Sequence, residues 1–165
     1  MAFGNTLDVS GPTAKATDLL DLITIRRLRY DETGLLFPLN QQIFNEKRLI
    51  NTLDHPILIP LVAEYQGMPV GFKIGYGLSR RDYYSAKGGV LKSYRRHGIA
   101  RILLYRMILE AAEEQFEQFV YDTFPNRFPG MYHLGLREKF KIEYLKWNAV
   151  YDDYQVRLRR AITPR

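Results

Sequence analysis

Val90-Leu91-Lys92-Ser93-Tyr94-Arg95-Arg96-His97-Gly98-Ile99-Ala100-Arg101 joins the end of an apolar strand to the start of a long apolar helix. Between Tyr83 and Leu109 the chain holds no Asp or Glu. Yet Lys87, Lys92, Arg95, Arg96, Arg101 and Arg106 all fall there, six cations in a chain whose formal net charge is +6. A helix N-terminus already presents unpaired N–H groups and partial positive charge, so further cations are unfavourable there unless an anion arrives. Gly98 allows a backbone conformation and a close approach that a side chain would block, and Ala100 keeps the first helical turn thin. Successive amides can then point at one bound group, and the stretch reads as a receptor for phosphate. A solvated basic turn that merely caps a helix leaves the missing acids unexplained.

Working outward, Tyr83 to Leu91 reads as the strand entering this turn and Gly98 to about Gln115 as the helix leaving it. Ala100, Leu103, Leu104, Met107, Ile108 and Ala111 recur at helical spacing. Glu110, Glu113 and Glu114 crowd the helix's far end, opposite to what the macrodipole prefers, and the sequence offers no function for them. Upstream, Ile57–Tyr65 and Val70–Leu78 read as a hairpin. Its second strand alternates Val70, Phe72, Ile74, Tyr76 and Leu78 with Gly71, Lys73, Gly75 and Gly77. Three glycines on one face imply that a helix or another backbone packs closely there. Ile23–Tyr30 is the expected first strand, and Asp31 or Thr33 the expected cap of a helix running to about Phe44. Downstream come a fifth strand over Phe116–Phe124, a breaker-rich segment from Pro125 to Gly130, a helix from about Met131 to Lys139, and strands near Lys141–Trp147 and Asp153–Arg160. Residues 1–22 are expected to form an N-terminal arm, flexible in part, and residues 23–165 a single domain.

Composition agrees with one domain: 165 residues at 46% hydrophobic content suffice for one core. The absence of cysteine excludes disulfides, thiolate metal sites and Cys nucleophiles. His55, His97 and His133 have no metal-ligand spacing, so no metal is expected. No apolar run approaches the roughly 20 residues of a membrane span, and the N-terminus lacks a basic-then-apolar signal pattern. The expectation is a soluble, cytoplasmic protein without membrane association. A pI near 9.5 suits nucleic acid, a membrane surface or an anionic cofactor. Clustering of the charge at one turn favours the cofactor.

The pattern Arg95-x-x-Gly98-x-Ala100 between strand and helix resembles the acyl-CoA motif of the GNAT superfamily of N-acetyltransferases. The phrase Ala63-Glu64-Tyr65-Gln66-Gly67-Met68-Pro69-Val70-Gly71-Phe72 is similar to the hairpin preceding that family's cofactor strand. The order β, α, β, β, β, α, β, α, β, β extends the resemblance from about Ile23 to Arg160. It implies an α/β (α+β) fold: a mixed, mostly antiparallel central sheet flanked by helices, with splayed fourth and fifth strands. It also implies acetyl-CoA as acyl donor and direct transfer to an amine. Backbone groups around Gly88, Gly89, Val90 and Leu91 would pair with the pantetheine arm, and an N–H there would polarise the thioester carbonyl. Amides of Arg96, His97, Gly98, Ile99, Ala100 and Arg101 would hold the pyrophosphate. The side chains of Arg95, Arg96 and Arg101 would contact the other phosphates or stay solvated. Asn126 resembles the Asn that holds the pantetheine amide.

Many family members use a carboxylate on the fourth or fifth strand as base and a Tyr in Leu-Tyr-x-Lys-x-Gly-Phe as acid. This chain departs from both. Tyr84 occupies the fourth-strand position, and in Leu136-Arg137-Glu138-Lys139-Phe140-Lys141-Ile142 Arg137 stands for the Tyr and Lys141 for the Gly. The substitutes are Asp122 as base, directly or through water, Tyr132 with His133 as acid, and Tyr84 to orient the amine. Bulk water as proton acceptor, with no indispensable side chain, stays open. So does the acceptor. A small amine would use carboxylates among Glu46, Glu64, Asp82 and Asp122, whereas a peptide or protein amine would use an open sheet splay with Tyr83, Tyr84 and Phe128. Either a monomer or a homodimer is compatible. An alternative of a different class is a non-catalytic module that docks nucleic acid or a protein partner, supported by Arg157, Arg159, Arg160 and Arg165 near the C-terminus.

Overall fold

Hydrophobic alternation and the helical stripe sort the chain into one seven-stranded sheet with helices on both faces. A computed structural model describes residues 18–165, and the lead up to residue 17 lies outside the described residues. After a 3-10 turn at Leu19–Leu22 come β1 (Ile23–Arg27), a second 3-10 turn at Tyr30–Leu35 and α1 (Leu36–Phe44). Then follow β2 (Ile59–Tyr65), β3 (Met68–Gly77), β4 (Asp82–Val90), α2 (Ile99–Glu113), β5 (Gln118–Thr123), α3 (Pro129–Arg137), β6 (Lys141–Asn148) and β7 (Asp153–Ala161). The strands lie in the order β1-β2-β3-β4-β5-β7-β6, and every neighbouring pair is antiparallel except β4 with β5.

Two apolar clusters hold the sheet. Leu103, Leu104, Met107 and Ala111 of α2 pack with Ile59, Leu61, Phe119 and Leu158 on one face. Leu36 and Leu39 of α1 pack with Val62, Phe72 and Ile74 on the other. Leu104 is fully buried and Leu109 is 40% exposed. Truncating Leu104 to Ala is therefore expected to cost about 2–5 kcal/mol in urea unfolding, while Leu109→Ala stays within about 0.5 kcal/mol.

The structure corrects three local expectations. β1 ends at Arg27, because the chain turns at Tyr30 into the 3-10 segment. Neither Asp31 nor Thr33 caps the helix: Glu32 accepts from the Arg29 amide at 2.8 Å, and Thr33 donates its hydroxyl to the Tyr30 carbonyl at 2.7 Å. Val70 leaves the row of Phe72 and Ile74. It lies between Gly71, which opposes Ala63, and Pro69, which opposes Glu64, so it is the extra residue of a β-bulge and joins the cluster under α2. The close packing expected over the glycine row is present. A Cβ on Gly75 would fall 2.6 Å from the Tyr84 carbonyl and 2.7 Å from the Tyr83 ring.

Two of the acids at the end of α2, Glu110 and Glu114, also gain an explanation. Arg27 of β1 bridges Glu110 at 3.1 Å and Glu114 at 3.3 Å, and Arg106 holds Glu110 at 2.7 Å. They tie the helix to the sheet edge.

Candidate active site

The basic turn is open to solvent, and its geometry leaves backbone donors free. A short 3-10 turn at Lys92–Tyr94 follows β4. Arg96 (φ 63°) and Gly98 (φ 89°) then take left-handed conformations, and α2 begins at Ile99. Residues 95–98 are exposed. None of the amides from Arg96 to Arg101 finds an acceptor among the described residues. Six successive unpaired amides at a helix N-terminus could hold an anion.

The cations around it are not all available. Lys87 pairs with Glu46 at 2.5 Å, Arg101 with Glu138 at 2.7 Å and Arg106 with Glu110, so acids outside the acid-free stretch balance three of the six. Arg95 folds back, donating from Nε to the Val90 carbonyl at 2.8 Å. Arg96 and Lys92 remain, exposed at the turn. Leu91 spends its amide on the Val70 carbonyl at 2.8 Å.

A cleft opens between β4 and β5. The two strands pair only where Asp82–Tyr84 meets Gln118–Val120. Beyond that they part, helped by a bulge: Ile74 opposes Lys87 and Gly75 opposes Ser85, leaving Ala86 as the extra residue. The gap opens into a cavity of about 410 Å³. Phe44, Tyr76, Tyr84, Tyr121, Phe128 and Tyr151 form much of its wall. The end of α1 presses on β4 so closely that a Cβ on Gly89 would meet Ile43 at 2.7 Å.

Two of the expected catalytic residues meet in this cavity. Asp122 accepts from Tyr84 Oη at 3.2 Å, Gln155 Nε2 at 2.9 Å and both Arg157 nitrogens, Nε at 2.8 Å and Nη2 at 3.0 Å. Burial first, then the Asp122 charge, raises the Tyr84 pKa and keeps the phenol neutral. The hydrogen bond to Asp122 raises the Arg157 pKa, so the guanidinium stays charged. Tyr132 is not brought to this pair: it packs, half-buried, against the main core beside His133, while its neighbour Met131 lines the cavity. Arg137, standing where the family's Tyr would, is exposed. Asn126 gives its Nδ2 to Asp153 at 2.7 Å.

The remaining carboxylates are committed elsewhere. Glu64 pairs with Arg26 at 3.3 Å and Asp82 with Arg159 at 2.8 Å, and neither lines the cavity. Those contacts also remove Arg157 and Arg159 from any free basic tail. Among the described residues no helix is long and apolar enough to cross a membrane, and no cluster of ligands suits a metal.

Sequence reading passed over Lys73. It lines the cavity, is only 5% exposed, and burial lowers its pKa from the usual 10.5 to about 8. The only signal was its place in a row of glycines. In the unfolded chain this amine keeps its proton to about pH 10.5. Between about pH 8 and that value the unfolded state binds more protons, so stability rises with pH. Below pH 8 the buried charge costs about 3 kcal/mol, at about 1.4 kcal/mol per unit. Lys73→Met is expected to raise the melting temperature at pH 7, with the gap to the parent chain closing as the pH approaches 10. Melting curves across that range check it.

The likeness to known proteins follows the same lines. A family profile described as an acetyltransferase (GNAT) domain matches residues 8–125. No curated protein sequence matches the chain. Among solved structures, it is similar to a GNAT family acetyltransferase from Elizabethkingia anophelis with acetyl-CoA bound. The identity is 20% and the TM-score 0.74, over 86% of this chain and 99% of that one. It is also similar to the ribosomal-protein-S18-alanine N-acetyltransferase from Escherichia coli, at 13% identity and a TM-score of 0.73, over 87% and 96% of the two chains. A third likeness is to an aminoglycoside 6'-N-acetyltransferase complexed with coenzyme A, at 16% identity and a TM-score of 0.69, over 86% and 98%.

Proposed function

The chain belongs to the GNAT acetyltransferase family, and on that footing we propose that it transfers an acetyl group from acetyl-CoA to an amine by direct attack. The unpaired amides of residues 96–101 carry this reading, because they offer a diphosphate six donors where the chain leaves β4 for α2. Relatives of the same fold were solved with acetyl-CoA or coenzyme A bound, which supports the same donor here. The pantetheine arm lies along the open edge of β4 after Tyr84, where no strand pairs with it.

The acceptor amine enters the aromatic cavity beside Tyr84. Its nitrogen attacks the thioester carbonyl carbon, the C–S bond breaks, and water relays the amine's proton to the departing thiolate. Tyr84, neutral and fixed by Asp122, orients the nitrogen. Asp122 is held by Arg157 and Gln155, so it acts as the anchor of that arrangement. The acceptor class follows from charge. Glu46 and Asp122, the cavity's carboxylates, are both paired with cations, and aromatic rings form the wall. This favours a single amine on an aromatic or apolar body, a small molecule or a peptide end, over a polycation.

Calorimetric titration with acetyl-CoA tests the donor, and CoA release against a panel of arylalkylamines, peptides and polyamines tests the acceptor. Saturable binding with release for the first two groups is expected. A flat titration at millimolar acetyl-CoA would overturn the reading.

A further inference from the structure

Lys73 starts on the α2 face of β3 and ends in the cleft. Its register partners are Leu61 and Gly88, and Leu61 belongs to the cluster beneath α2, so Lys73 projects to that side. Because Gly88 is bare, the lysine stem lies across β4 there: a Cβ on Gly88 would sit 3.2 Å from Lys73 Cγ. The ammonium then reaches within 5.8 Å of the centre of the Tyr121 ring on β5. One side chain thus crosses β4 and spans the gap where the two strands part. It lines the cavity and has no ion-pair or hydrogen-bond partner among the described residues.

We propose that Lys73 is itself an acyl acceptor, a site of self-acetylation in the cleft that receives the thioester. This rests on the donor reading given above. A desolvated lysine without a carboxylate partner is a recognised kind of activated nucleophile. With its pKa near 8, about half of it is neutral at pH 8, against roughly one part in 300 for an ordinary lysine. The step balances without any further reagent. The neutral Nζ attacks the thioester carbonyl carbon and forms the N–C bond. The C–S bond breaks with its electron pair leaving on sulfur, and the proton shed by nitrogen passes through water to the thiolate. The products are Nε-acetyllysine and free CoA. The modified side chain is neutral, which removes the burial cost of the charge. It is also two carbons longer in the gap between β4 and β5, so acetylated chains bind a second donor more weakly.

The test is incubation of the full chain with acetyl-CoA and no other acceptor, between pH 7 and 9.5, with peptide mapping by mass spectrometry. Acetyl-CoA binding is measured alongside by calorimetry. Acetylation at Lys73 is expected to outpace that at the exposed Lys47, Lys139 and Lys141 by about tenfold or more. It should saturate with acetyl-CoA and level off above about pH 9. Lys73→Arg should remove that signal, and Gly98→Glu should abolish it by removing the donor. A chain that binds acetyl-CoA yet modifies Lys73 no faster than the exposed lysines overturns the proposal and leaves the donor reading intact. If acetyl-CoA does not bind at all, both fall.

Discussion

Replacing Gly98 with Glu is expected to weaken acetyl-CoA binding at least a hundredfold, about 2.7 kcal/mol, in a calorimetric titration. Two effects combine. Gly98 sits at φ 89°, where a residue with a Cβ is strained by about 1–2 kcal/mol. A carboxylate there also occupies the site of the diphosphate and sets like charges together. Packing contributes little, since a Cβ would meet nothing nearer than Leu20 at 3.5 Å. Gly98→Asn separates the effects, because Asn tolerates the left-handed conformation and adds no charge. It should lose much less affinity than Glu. Equal loss in both variants would mean that backbone geometry, not anion capture, governs the turn.

Asp122→Ala is the second large effect. Asp122 and Arg157 keep only 10% and 21% of their side chains exposed, so removing the acid strands a cation in a poorly solvated site. The expected cost is about 3 kcal/mol, toward the low end for a buried pair because Arg157 retains some water. Asp122→Asn preserves shape and is milder for folding, but it loosens the hold on Tyr84. With whichever amine the panel identifies, Asp122→Asn should lower kcat at least tenfold and leave KM for acetyl-CoA unchanged. A rise in KM for acetyl-CoA at constant kcat would place Asp122 in donor binding instead.

What sequence could supply here was local. The spacing Arg95-x-x-Gly98-x-Ala100, the stripe along α2 and the alternation of β3 each lie within a few residues, and the strand and helix order read from them matches the fold. The family profile covers the same central region. Pairing across the sheet was not legible. Arg157 and Arg159 looked like a solvated face, yet they meet Asp122 and Asp82, residues 35 and 77 positions away. The cations of the turn looked unbalanced because Glu46 and Glu138 lie outside the local window. The bulges at Val70 and Ala86 shift faces without any composition signal, and the second of them helps open the cleft. Lys73 was hidden for the same reason: its role depends on a bare glycine on the neighbouring strand.

The central claim is that the amides of residues 96–101 receive the diphosphate of acetyl-CoA. At 19.4 kDa the chain suits amide-resolved NMR, and titration of 15N-labelled protein with acetyl-CoA reads those groups one by one. The resonances of Arg96 to Arg101 are expected to move furthest and saturate together, with smaller shifts along the β4 edge from Ser85 to Val90. Saturable binding that leaves those six amides unmoved would contradict the claim.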